Sequence, residues 1–256
     1  MTLFFPDLSN NNWSSDADVT SFLSQLLSSG FAGASHKVTE GNYYQDPYWR
    51  TFSTYCAANA IPYIGYHCLT NDDPASQVQL YQANGGTLNV MIDHETFNGQ
   101  NANLDQFWAV TNAFNAAGIN VQLEYLPQWF WSTIGSPDLS AFSSSSIILV
   151  SSAYPGGTGY ASAIYSGAGG DTGEGWAAYG GCTPGAWQFT DSATIAGKSV
   201  DCNAYLGTNI GVLFGTSAAP VTPPVTPPAP ANTYLGLPTD DSIYSALAAL
   251  SAQWAA

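Results

Sequence analysis

The sequence has very little positive charge. Lys37, Arg50 and Lys198 are its only lysines and arginines, against 18 acidic side chains, for a formal net charge of -15 over 256 residues. Three cations cannot form a basic patch, so counterion release cannot drive binding to a phosphate backbone or an anionic bilayer. Neither nucleic acid nor a membrane surface is an expected partner. Cysteine is scarce as well: Cys56, Cys68, Cys182 and Cys202 lack the C-x-x-C spacing of a structural zinc site. They are too few for a disulfide scaffold, and two disulfides or four buried thiols would both fit. No metal site and no organic cofactor is expected. No run approaches the roughly 20 apolar residues that span a bilayer. The opening "MTLFFPDLSNNNW" has neither the basic n-region nor the long apolar h-region of a secretory signal, so none is expected. Glutamate occurs only at Glu40, Glu95, Glu124 and Glu174, which makes the position of each one informative.

Apolar residues are plentiful. They make up 45% of the chain and aromatics 14%, enough for one large core and an aromatic cleft. Such a cleft suits a neutral, hydroxyl-rich substrate. A composition break at "SAAPVTPPVTPPAPAN" marks an extended Pro-rich linker over 217–232. It separates a body, 1–216, from a tail, 233–256. In the tail, Asp240-Asp241-Ser242 is a helix start signal, and Ile243, Leu247, Leu250 and Trp254 follow at helical spacing. A single short amphipathic helix is not stable alone, so the tail is expected to dock on the body, on another copy or on another protein.

Within the body, strand and helix signals alternate. Strands are expected at 3–8, 30–37, 61–68, 88–95, 119–126, 146–153, 185–189 and 199–203. Helices are expected at 18–29, 48–58, 74–84 and 104–117. The glycine-rich stretch 156–181 reads as long loops. This order implies parallel strands with helical crossovers, and eight of them suggest a modified (β/α)8 barrel, TIM-like, with degenerate last units. A doubly wound open sheet is the rival, but no glycine-rich dinucleotide loop follows the first strand.

Barrel enzymes place their sites at the C-terminal ends of the strands. Asp7, Asp93, Glu95 and Asp201 all follow apolar runs and would converge on one rim. In "LNVMIDHETFNG", Asp93 and Glu95 stand at i and i+2, which on a strand is one face. There they repel each other and resist desolvation, a cost that chemistry would offset. Asp7 and Asp201 also read as turn or cap residues. Glu124 has a similar address and is the rival acid. His67 and His94 read as packing residues, with His94 pointing away from its acidic neighbours. Tyr66, Tyr125 and Trp187 are candidate sugar-stacking rings, and each is also acceptable in a core.

Five segments in order, "FPDLSNNNW", "SHKVTEGNYYQDPYW", "IPYIGYHCL", "MIDHE" and "WQFTDSATIAGKSVDCNAYLG", resemble the blocks of glycoside hydrolase family 25 lysozymes, the muramidase type common among bacteriophage endolysins. The resemblance implies cleavage of the β-1,4 bond between N-acetylmuramic acid and N-acetylglucosamine in the peptidoglycan glycan strand. It puts Glu95 in the place of the catalytic acid, Asp93 in that of its partner, and Asp7 and Asp201 in those of two further cleft acids. Cys68 and Cys202 depart from it, replacing residues that are usually apolar, and so does the glycine-rich loop. It favours assistance by the substrate's 2-acetamido group, although a carboxylate nucleophile fits the residues equally. It also implies a phage protein made in the host cytoplasm and acting on the wall, or associated with the virion. A catalytically inactive carbohydrate-binding or structural barrel of a phage tail is the alternative function.

Overall fold

Most strands carry apolar residues on both faces, as parallel strands buried on both sides do. In "NVMID", for example, Met91 points into one apolar cluster while Val90 and Ile92 point into another. The computed structural model describes residues 2–215, together with the backbone of Thr233–Tyr234 and Leu237–Pro238. The expected linker at 217–232 and the helix expected from Ile243 onward lie outside the described residues.

Eight strands close into a barrel: β1 (Leu3–Leu8), β2 (Ala34–Glu40), β3 (Tyr63–Cys68), β4 (Asn89–Asp93), β5 (Asn120–Tyr125), β6 (Ile148–Ser152), β7 (Ala186–Ile195) and β8 (Lys198–Tyr205). Neighbours from β1 to β7 are parallel. The last strand differs. β8 pairs antiparallel with both β7 and β1. The cause is the two-residue connection Ala196-Gly197, both at positive φ (48° and 79°). A turn this short makes a hairpin and leaves no room for a helical crossover. Asp201 was expected at the C-terminal end of a parallel strand; it stands instead in the first half of a reversed one.

The helices are α1 (Asp16–Leu26), α2 (Trp49–Ala58), α3 (Pro74–Ala83), α4 (Leu104–Ala116), α5 (Gln128–Thr133), α6 (Ala141–Ser144), α7 (Ala161–Gly167) and α8 (Ile210–Leu213). Ser15, Asp73 and Asn103 cap α1, α3 and α4 through their side-chain oxygens, which satisfies donors the helices leave free. The 156–181 stretch is not all loop: it holds α7 and two 3-10 turns. Ala161, Ile164 and Tyr165 form the buried face of α7, a pattern too short to stand out among glycines. None of the described helices is long and apolar enough to cross a membrane.

Phe5, Tyr66, Met91, Leu123, Tyr125 and Val150 fill the barrel. Ile210, Leu213 and Phe214 join the same cluster, with the Phe214 ring edge-on to Phe5 at 5.2 Å. The barrel is therefore a packed cylinder whose α8 side carries apolar side chains. The four cysteines are free, buried thiols.

Candidate active site

Polar side chains gather where β1, β4 and β8 meet the opposite end. Asp7 and Asp201 are direct partners across the β1–β8 ladder. Asp93 is the last residue of β4 and pairs with Cys68 of β3. Glu95 is not on the strand. It lies two residues beyond Asp93, at the base of a short ribbon in which Thr96–Phe97 pairs with Gln100–Asn101. Asn98 and Gly99 turn that ribbon with φ of 48° and 70°. The shared strand face predicted for Asp93 and Glu95 therefore does not exist, because β4 ends at Asp93. Their charges still interact, and Glu95 is the strongest charged influence on Asp93.

The hydrogen bonds are sparse on the side facing the opening. Gln188 Nε2 donates to Asp7 Oδ2 at 3.4 Å. Tyr125 donates to Gln188 Oε1 at 2.8 Å, and Tyr154 donates to the same oxygen. The Cys68 thiol donates to Asp93 Oδ2 at 3.5 Å. Asp7 Oδ1 and Asp93 Oδ1 are buried with no partner among the described residues. Native proteins rarely leave such atoms unmatched, and a substrate donor would match them. Lys37 is held by Glu40 at 2.8 Å, with its ammonium 5.4 Å from the centre of the Phe97 ring.

Burial and mutual repulsion raise the proton affinity of all four carboxyls. Asp7 is pushed up to about 8 by burial first and by Asp201 second. Asp93 is raised well above the carboxylate range by burial, then by Glu95 and Asp7, with Lys37 opposing. Glu95 rises to about 7 through burial and Asp201, again opposed by Lys37. Asp201 rises to about 6 through burial and Asp191.

These shifts predict an inverted pH dependence of stability. The unfolded values are near 3.8 for Asp and 4.5 for Glu. Between those values and the folded ones, the native state binds more protons than the unfolded chain, so stability falls as pH rises. The loss begins near pH 4 to 5 and continues until the pH passes the folded values of about 6 to 8, at ~1.4 kcal/mol per pH unit for each extra proton held. Calorimetry should show a Tm lower by about 5 °C or more at pH 8 than at pH 5, since ~1 kcal/mol moves a domain of this size by 2–4 °C. Asp7→Asn should flatten that slope; an unchanged slope would mean the carboxyls are not buried together.

The other candidates fall on both sides of the barrel wall. Tyr66 and Tyr125 point inward, 7% and 6% exposed, and each feels the charge of a site carboxyl, Tyr66 that of Asp7 and Tyr125 that of Glu95. Trp187 does not reach the mouth. It is 0% exposed, its indole N–H donates to the Ala153 carbonyl at 3.0 Å, and a Cβ added at Gly175 would lie 2.1 Å from that nitrogen. Strand alternation explains this: Ala186 packs with the interior cluster and Gln188 reaches Asp7, while Trp187 between them packs outside. Glu124, the rival acid, is also fully buried on the outer side, bonded to His94. His36 and His67 are buried with both ring nitrogens partnered.

Gln188 and Tyr154 escaped the sequence reading, although "WQF" contained the first, one residue from the ring chosen instead. Tyr154 is 44% exposed and lies two residues past the end of β6. A cleft of about 200 Å³, lined by Gln128, Ser152, Glu174 and Tyr179 among others, opens by the end of β6. Among the described residues no three His, Cys, Asp or Glu side chains are placed to hold a metal ion.

The barrel has the fold of the family 25 lysozymes and muramidases. A bacterial lysozyme from Streptomyces coelicolor aligns with a TM-score of 0.59 at 19% identity, covering 82% of this chain and 95% of that one. A family GH25 lysozyme from Aspergillus fumigatus aligns at 0.60 and 18%, covering 83% and 98%. The catalytic domain of endolysin ply40, from bacteriophage P40 of Listeria monocytogenes, aligns at 0.60 and 14%, covering 84% and 98%. No protein-family model and no curated protein matches the sequence. Likeness at these identities concerns the backbone.

Proposed function

We propose that the chain is a peptidoglycan hydrolase that cleaves the β-1,4 bond between N-acetylmuramic acid and N-acetylglucosamine, with Glu95 as general acid and then general base. The observation that carries this reading is a carboxyl at the mouth of a lysozyme-like barrel whose proton is retained up to about pH 7 by burial and by Asp201. A neutral carboxylic acid at working pH is what protonation of a glycosidic oxygen requires.

Asp93 and Glu95 titrate together, so their protons belong to the pair. In the free protein burial favours the proton on Asp93. A sugar acetamide whose N–H meets the unpartnered Asp93 Oδ1 would stabilise the ionised form of that residue, leaving the remaining proton on Glu95. Substrate binding would thus set the protonation state that chemistry needs. Glu95 then gives its proton to the leaving oxygen as the acetamide oxygen of the muramic acid closes on the anomeric carbon. Asp93 stabilises the positive charge spread over that ring. Water opens the ring and loses a proton to Glu95. Tyr66, Tyr125 and the more exposed Tyr154 would border the sugar. Asp7 and Asp201 keep the local field negative, which favours an oxocarbenium-like transition state.

A barrel with this chemistry and no basic surface fits a phage enzyme acting on the bacterial wall, and the tail, 233–256, would provide docking to a second protein or copy. Mass analysis of digested walls is the direct test. Reducing-end muramic acid is expected; reducing-end glucosamine or free peptides would overturn the assignment. kcat/KM should fall about tenfold per pH unit above about pH 7, where the acid is lost.

A further inference from the structure

His94 stands between Asp93 and Glu95 in sequence but turns its ring to the other side of the wall. There it is fully buried, stacked on Phe107 at 5.9 Å and edge-on to Phe130 at 5.3 Å. Its Nε2 is 2.8 Å from the carbonyl oxygen of Ala102. A carbonyl only accepts, so Nε2 carries the hydrogen and, in a neutral ring, Nδ1 is an acceptor. The atom facing Nδ1, at 2.7 Å, is Glu124 Oε1. Glu124 must then be the donor, as an uncharged carboxylic acid. The charged alternative, imidazolium with carboxylate, would strip two ions of water while Glu124 Oε2 has no partner among the described residues, an arrangement that costs more than it returns. Burial acts in the same sense on both groups, raising Glu124 and lowering His94 to about 4.

The bonds join three pieces of chain. The His94 main-chain N–H donates to the Tyr125 carbonyl at 2.9 Å, extending the contact between β4 and β5. Its side chain reaches Glu124 of β5 on one side. On the other it reaches Ala102, just beyond the returning strand of the ribbon whose outgoing strand starts after Glu95. Both ends of the segment that carries Glu95 are therefore tied to one imidazole.

We propose that His94 and Glu124 form a neutral buried staple that fixes the Asp93–Glu95 segment and the ribbon after it, and so act as positioning residues for the acid. This inference rests on the role assigned to Glu95 above. Misplacing a catalytic group by about 1 Å can cost on the order of 100-fold in rate. Glu124→Leu, which leaves Nδ1 without a donor, should lower kcat about 10- to 100-fold with KM within about twofold. Glu124→Gln supplies an amide N–H to Nδ1 and should stay within about threefold of the unaltered protein. Equal activity of Glu124→Leu and the unaltered protein, or equal losses in both variants, would overturn the staple. If Glu124→Leu does not fold, nitrogen-15 NMR of the unaltered protein still decides the matter. His94 should show the neutral Nε2–H form from pH 5 to 8, and an imidazolium signal there refutes the proposal. In a folded Glu124→Leu, amides over 96–101 should exchange faster. If the unaltered protein cuts no peptidoglycan, the function proposed above fails, while the NMR and exchange measurements still test the staple.

Discussion

Glu95→Gln should lower turnover at least about 100-fold and leave the barrel folded, because general acid–base catalysis typically contributes that factor or more. Glutamine keeps the shape of the side chain and its hydrogen-bonding capacity but has no acidic proton to give to the leaving oxygen. The structural cost should be small: Glu95 lies on the loop after β4, only partly buried, and removing its charge relieves repulsion with Asp201 and Asp93. The variant should therefore melt no lower than the unaltered protein at pH 7 to 8. A turbidity assay on cell walls, with circular dichroism to confirm folding, checks both halves. A residual rate above about a tenth would remove Glu95 from the acid role, and the buried Glu124 could not replace it.

Asp93→Asn should be nearly as damaging, with a kcat loss of about 100- to 1,000-fold, the usual size for removing a group that stabilises charge in the transition state. Asparagine can still present an oxygen to the substrate amide, so KM should change little. What it cannot supply is the negative charge that the proposed reaction sets opposite the developing cation. A companion measurement separates the two chemical routes. Walls whose muramic acid has lost its N-acetyl group should be cut poorly by the unaltered protein if the substrate assists. Cutting at the normal rate would favour Asp93 as a carboxylate nucleophile.

The order of strands, their number and the four long helices were legible because apolar periodicity and capping residues are local signals. What the sequence hid was of another kind. The end of β4 at Asp93 depends on the Asn98-Gly99 turn drawing the chain into a ribbon, and an alternation count runs past it to Glu95. The reversal of β8 is encoded in two residues, Ala196-Gly197, between segments that each look like ordinary barrel strands. The facing of Trp187 and Gln188 depends on register across β6, β7 and β8, which no single strand reveals. Aromatic rings attract attention as sugar platforms, yet here the amide beside the ring is what reaches Asp7. His94 and Glu124 are thirty positions apart, and only the pairing of β4 with β5 brings them together.

The β1–β8 ladder has a consequence for how the protein is made. Asp7 sits on the first strand of the barrel and Asp201 on the eighth, and the backbone pairing between them completes the cylinder. Until that seam zips, a nascent or clipped chain lacks the neighbour that most strongly lifts the Glu95 proton after burial itself. A barrel cut short of β8 should thus hold the Glu95 proton less tightly than the intact one.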